Sequence, residues 1–245
     1  MKIFGSVSTL LALCTILSSA PVFGFETDTI ETKAGPLKIT FIGHGTLMMT
    51  IGTKTIHIDP WTKLADYTKL PKADLILVTH GHRDHLDTVA INQARKSTTK
   101  LATTAECATR LDHATVLKNG EVKTIAGFTI QAVAAYNLVH MRDSGQAYHP
   151  KGDGNGYVIN VGEKRIYIAG DTENTPEIKK LSQIDIAFLP MNLPYTMTPE
   201  MVADAAIAFR PKILYPYHYG QIDPQTIKKL LAAEKDIDIR IRPMK

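Results

Sequence analysis

The chain has 245 residues, of which 44% are hydrophobic and 21% charged, a balance that suits a soluble globular protein able to bury a full core in one domain. Its formal net charge of +4 comes from Lys and Arg scattered along the chain, with no basic run of the kind that tracks nucleic acid. Two cysteines, one of them near the N-terminus, exclude a disulfide framework.

The first 24 residues read as a secretory signal peptide: Lys2 gives a positive start, Ile3 to Leu17 an apolar centre, and Ser18-Ser19-Ala20-Pro21-Val22-Phe23-Gly24 a small-residue end. Cleavage is expected after Gly24, because Val22 and Gly24 fill the small-residue positions and Pro21 disfavours a cut after Ala20. That would remove Cys14, leave Cys107 alone, and export the remaining domain, 25–245, to the periplasm or the medium. An uncleaved anchor and a lipoprotein are the alternatives, but the apolar run is short for a bilayer span and Leu13 is too bulky to precede a lipidated cysteine. No later stretch is long and apolar enough to cross a bilayer, so no stable membrane insertion is expected after cleavage.

Strands are predicted at Leu37 to Ile42, Thr46 to Ile51 and Lys54 to Ile58, with Gly52-Thr53 turning a hairpin and Asp59-Pro60-Trp61 closing the meander. The run Leu75-Ile76-Leu77-Val78, rich in branched residues and too short for a typical helix, reads as a buried strand that leads into Thr79-His80-Gly81-His82-Arg83-Asp84-His85. A helix over Asp87 to Lys96 with Asp87 as its cap follows, then a strand at Leu101 to Thr103, a helix at Ala105 to Leu111 carrying Cys107 as a buried hydrophobe, and a strand at Phe128 to Ala135.

Tyr157 to Ile168 then repeats the earlier hairpin: Gly162 stands for Gly52, Lys164 for Lys54, and Ile166 and Ile168 for Ile56 and Ile58. Both copies run into an acid, Asp59 in one and Asp171 in the other. A hairpin used twice argues for two similar sheets packed face to face. Helices at Pro176 to Leu181, Pro199 to Phe209 (Thr198 as cap) and Pro224 to Lys235 alternate with strands at Ile184 to Leu189, Lys212 to Tyr215 and Ile237 to Ile241, a mixed α/β architecture with no visible linker.

The chemistry gathers at strand ends. His80, His82, Asp84 and His85 are ligands that borderline cations such as zinc accept, and neutral imidazoles this close would otherwise need a partner for every nitrogen. Gly81 lets the backbone bend, so that His80 and His82 can turn to one ion while Asp84 and His85 face a neighbouring position, which suggests two metals. His44 follows the first strand and either lines the cleft or holds a turn. His57 and His113 read as structural, while Trp61, Tyr195 and Met197 either shape a partly apolar pocket or pack.

His80-Gly81-His82-Arg83-Asp84-His85 resembles the H-x-H-x-D-H signature of the metallo-β-lactamase superfamily, and matching order and spacing run from about Leu37 to near Arg240. The resemblance implies an αββα sandwich of two mixed sheets flanked by helices. It implies that Asp171, in Gly170-Asp171-Thr172, bridges two metals, that His218 completes the second metal with Asp84 and His85, and that Asp59 supports the ligands from behind. The last ligand of the first metal departs from the simplest pattern, because the strand ends at Ala135-Tyr136-Asn137 without a histidine. His140 and His149 are the candidates; His149 is preferred, since Tyr136-Asn137, His149-Pro150-Lys151-Gly152 and Gly156-Tyr157-Val158-Ile159 resemble a branch of small hydrolases in the superfamily.

The expected function is a metal-dependent hydrolase of a small molecule, with two divalent ions (zinc first, Mn2+ or Fe2+ as alternatives) sharing a bridging hydroxide oriented by Asp84. An ester, lactone, amide or phosphodiester would suit it. The alternative is a metal- or ligand-binding protein without turnover. RNA processing would predict a clamp domain that the sequence does not show.

Overall fold

The structure, a computed structural model, describes residues 24–245, and the expected signal segment lies outside the described residues except for Gly24. Strands β1 (Glu26–Ile30), β2 (Leu37–Gly43), β3 (Thr46–Ile51) and β4 (Lys54–Ile58) form an antiparallel meander. To it β5 (Leu75–Leu77), β6 (Lys100–Thr103) and β7 (Ala114–Val116) add in parallel, giving a seven-stranded sheet in chain order.

The second sheet repeats this plan. β8 (Val122–Ile125), β9 (Phe128–Ala135), β10 (Gly154–Val161) and β11 (Lys164–Ile168) are antiparallel, and β12 (Ile186–Pro190), β13 (Ile213–Tyr217) and β14 (Asp238–Ile239) follow in parallel. The hairpin repeat is the centre of this duplication: Leu47 pairs with Ile58 and Ile51 with Lys54 in one sheet, Tyr157 with Ile168 and Val161 with Lys164 in the other. Gly52 and Gly162, both at positive φ, turn the two copies.

β5 explains how the sheets are layered. Leu75 and Leu77 sit in the core between the sheets, while the alternate Ile76, with Val78 beyond the strand, packs with Ala90, Ile91 and Cys107 in a second cluster. A strand buried on both faces has no polar side to show, hence its continuous apolar run. Between the sheets, Phe41 of β2 meets Tyr215 of β13 at 5.1 Å between ring centroids, and Phe188 of β12 stacks on Tyr215 at 5.0 Å. Such aromatic pairs contribute about 0.5–1.5 kcal/mol each beyond their area burial.

Helices flank the sandwich. α1 (Thr88–Ala94) is capped by the Asp87 carboxylate and buries Ala90, Ile91 and Ala94. After the short α2 (Ala105–Ala108) and α3 (Pro176–Lys179), α4 (Pro199–Phe209) starts at the expected Thr198 cap and buries Val202, Ala203, Ala205, Ala206 and Phe209. α5 (Gln225–Leu230) is shorter than the predicted 224–235. The C-terminal tail returns to the first sheet, where Arg242 Nη2 lies 2.8 Å from Asp28 of β1, and Met244 is buried. Among the described residues no helix is long and apolar enough to cross a membrane.

β1, β7 and β8 were not anticipated. Each lies at or beside a sheet edge, and the half-exposed pattern of β1 and the Val-Lys-Thr-Ile of β8 lack the alternation that marks a strand in sequence.

Candidate metal centre

Side chains from both sheets converge beyond the carboxyl ends of β5, β11 and β13. The end of β5 is fixed first: Tyr157 Oη of β10 donates to Val78 O at 2.7 Å, Asn155 N donates to Thr79 O at 2.9 Å, and Thr79 N donates to Asp59 Oδ1 at 2.8 Å. His80, His82 and His149 then bring ligand atoms within 4.8 Å of one another, and so do His44, Asp84, His85 and His218. Asp171 stands between the two groups. Its Oδ2 is 3.3 Å from His149 Nε2, 3.6 Å from His218 Nε2 and 3.9 Å from His80 Nε2, and its Oδ1 is 3.5 Å from His85 Nε2.

All seven residues singled out as metal-ligating in the sequence therefore meet in one place. His140 does not join them; its Nδ1 lies 2.7 Å from Glu173 Oε1 instead. His44, left open by the sequence, lies with Nε2 2.9 Å from Asp84 Oδ2 and its ring centroid 3.7 Å from that of His218. His57 binds Pro71 O through Nε2, and burial pushes its pKa down to about 4, consistent with a structural residue. Of the two readings open for Met197, packing holds: it is buried in the hydrophobic core. Burial raises the Cys107 thiol to about 11, which keeps it protonated and unreactive.

The donors fit a metal on an observation independent of their type. His85 Nε2, His149 Nε2, His218 Nε2 and Asp171 Oδ1 are buried and have no hydrogen-bond partner. Each such atom costs about 1–3 kcal/mol when left unsatisfied, and four facing one space are better satisfied by a cation than by one another.

The opposite edges of the rings are held. His85 Nδ1 lies 2.8 Å from Asp59 Oδ2, and His149 Nδ1 lies 2.8 Å from Asn137 Oδ1, so each imidazole keeps its proton at Nδ1 and turns Nε2 inward. His80 Nδ1 faces Thr79 Oγ1 at 3.0 Å, and His218 Nδ1 lies 3.3 Å from the Asn192 carboxamide. Gly45 lies against two of the rings, where a Cβ would stand 2.8 Å from His85 Cε1 and 3.5 Å from His218 Cδ2. His44, Asp59 and His218 all adopt positive φ, backbone strain of the kind that collects at functional sites.

Charge in the cluster is matched by burial. Burial, helped by the charge at His85, lowers His80 well below the ordinary histidine range and keeps its imidazole neutral. For Asp171 burial acts upward, but His218, His85, His149 and His80 outweigh it and hold the carboxyl well below its usual range. His85 is pulled down by burial, yet Asp171 and Asp59 prevail and raise it to about 9.

Sequence reasoning missed Glu173. Its carboxylate, fully buried, accepts hydrogen bonds from the backbone N–H groups of Leu138, Val139 and His140, each at 2.7 Å, and from Asn137 Nδ2 at 3.1 Å. It thereby fixes the loop after β9 that orients His149. Only its position after Gly170-Asp171-Thr172 hinted at such a role.

A duplicated sandwich with histidines and aspartates pooled at its strand ends defines a β-lactamase superfamily protein, and the profile described as "Beta-lactamase superfamily domain" matches residues 38–218. A UPF0173 metal-dependent hydrolase from Anaeromyxobacter sp. (strain K) is 32% identical over 239 residues, with 85% of this chain and 86% of that protein covered. The chain belongs to this UPF0173 family within the superfamily. Among solved structures, a metal-dependent hydrolase assignment from Parabacteroides distasonis superposes with a TM-score of 0.86 at 48% identity over 90% of this chain and 100% of its own. Igni18, described as a metallo hydrolase from Ignicoccus hospitalis, gives 0.71 at 26% identity over 85% and 96%.

Proposed function

We propose that the chain is a metal-dependent hydrolase that holds two divalent ions, zinc first, and cleaves an ester, lactone, amide or phosphodiester bond of a small substrate. The convergence of four partnerless buried donor atoms, three imidazole Nε2 atoms and Asp171 Oδ1, carries this reading. His80, His82, His149 and Asp171 would hold one ion, and Asp84, His85, His218 and Asp171 the other. Divalent ions there would supply a water ionisable near neutral pH and a Lewis acid for the substrate's carbonyl or phosphoryl oxygen.

The chain's own residues do the rest. Asp84 lines the open cleft with a one-third exposed side chain and, through its bond to His44, is placed to orient the attacking water. Burial pushes its carboxyl up, but His218 and His44 outweigh that and keep it ionised. Asp59, Asn137 and Thr79 hold the imidazoles in their inward tautomers.

Metal analysis of the purified protein should find close to two ions per chain, and fewer in Asp171→Ala and His218→Ala. A panel of chromogenic ester, lactone, phosphodiester and β-lactam substrates should show turnover that a chelator abolishes. Full metal loading with no turnover on any substrate would instead favour the binding protein without catalysis. We also propose that residues 1–24 direct export and are removed, supported by their charge and apolar pattern; an intact N-terminus on protein recovered outside the cytoplasm would refute removal.

A further inference from the structure

Of the metal-facing groups, Asp84 opens into a cleft of about 830 Å3 whose walls also include His44, Trp61, Lys63, Arg83 and Asp87. Its carboxylates are already committed. Asp87 Oδ1 accepts from the Val89 and Ala90 N–H groups and its Oδ2 from Thr62 N, while Asp84 Oδ2 faces His44, His85 and His218. The cations are not. Among the described residues neither Arg83 nor Lys63 has an ion-pair partner, and both are exposed at the cleft.

Their positions relative to the centre are nonetheless set. Arg83 sits in the chain between His82 and Asp84, one from each donor group. Lys63 Nζ lies 5.0 Å from the Trp61 ring centroid, Trp61 lies 5.3 Å from the His44 ring, and His44 is bonded to Asp84. Neither cation is paired with a carboxylate of the cleft, so both are free to close on an anion, and a guanidinium binds carboxylate or phosphate through two parallel N–H bonds.

We propose that the substrate carries an anionic group, a carboxylate or a phosphate set apart from the scissile bond, which Arg83 and Lys63 hold while the reacting carbonyl or phosphoryl lies over the histidine and aspartate cluster. This assignment rests on the hydrolytic reading of the same site, and it makes Arg83 and Lys63 specificity residues.

Trp61 is the sole tryptophan of the chain, so its fluorescence reports on this cleft. The metal-loaded protein is titrated with phenyl phosphate, with benzoate and with neutral benzyl alcohol. The expected result is a saturable change with the anions and none with the alcohol, with the dissociation constant raised about tenfold in Arg83→Gln and in Lys63→Gln, and unchanged in Lys228→Gln on α5. Tighter binding of phenyl phosphate than of benzoate identifies phosphate as the source, and the reverse order identifies carboxylate.

Equal affinities in wild type and both cleft variants would place the anion on the metal ions and overturn the proposal, as would the absence of any response. The titration needs no turnover. Failure of every chromogenic substrate with anion binding intact would therefore remove the hydrolase reading alone. If turnover is found, the KM for mono-4-nitrophenyl glutarate should rise about tenfold in the two variants at unchanged kcat, with 4-nitrophenyl butyrate unaffected. Equal KM shifts for both esters would overturn the assignment.

Discussion

Glu173→Gln tests whether the loop after β9 is a positioning device for the metal centre. The native carboxylate accepts three backbone N–H bonds at 2.7 Å and one from Asn137 Nδ2 at 3.1 Å. A carboxamide retains one acceptor oxygen and points an NH2 group at donors, so at least one bond is replaced by a donor–donor clash. Bonds to charged acceptors contribute about 1.5–3 kcal/mol each. Leu138 and Val139 are exposed enough for water to take over part of the loss, so the net cost should be about 2–3 kcal/mol.

The effect should also reach the site. Asn137 is held by Glu173 through Nδ2 and holds His149 through Oδ1, and loosening such a support typically weakens metal binding by about 10–100-fold. Competition against a chromophoric chelator gives the affinity, and urea unfolding of the metal-free protein gives the stability. A folded variant that loses stability but binds metal within twofold of wild type would refute the link from Glu173 to His149.

Gly45→Ala should lower metal affinity about tenfold with little loss of fold, because the new Cβ would press on the His85 ring that Asp59 holds; full metal affinity in a competition assay would show that the ring yields. His85, near pKa 9 without metal, is protonated at pH 7.5, so loading the metal-free protein in unbuffered solution should release protons that a pH-stat records. By the same raised pKa, its contribution to metal-free stability is full below the ordinary histidine value of 6.5 and is lost as the pH climbs through about 9, a decline that thermal melts at pH 7 to 10 should show. Asp28→Asn removes the more buried of the two carboxylates that pair with Arg242, leaving only the half-exposed Glu26, and should cost about 2 kcal/mol, read as a lower urea midpoint; an unchanged midpoint would mean that Glu26 and water replace the pair.

The parts of this molecule that were legible in sequence are those written in local pattern. β5 announced itself because burial on both faces removes every polar residue, and the donors at its end lie within six positions. The duplicated hairpin was legible because identical turns impose the same glycine and lysine spacing. Edge strands β1 and β8 were not, since half-exposed edges tolerate Glu, Lys and Thr at positions where a central strand alternates. The supports of the site were harder. Asn192 stands 26 positions from His218, and Glu173 reaches the 138–140 backbone from 33 to 35 positions away. A side chain that bonds to backbone leaves no complementary residue to recognise.

The doubling of the sheets has a further consequence. His80, His82, Asp84 and His85 come from one half of the duplication, and His149, Asp171 and His218 from the other. An ion gripped by both halves acts as a rivet between them, so its binding energy resists the parting of the layers and melting temperature should track free metal concentration. Neither layer can assemble the grip alone, which makes the completed interface a condition for retaining the ion.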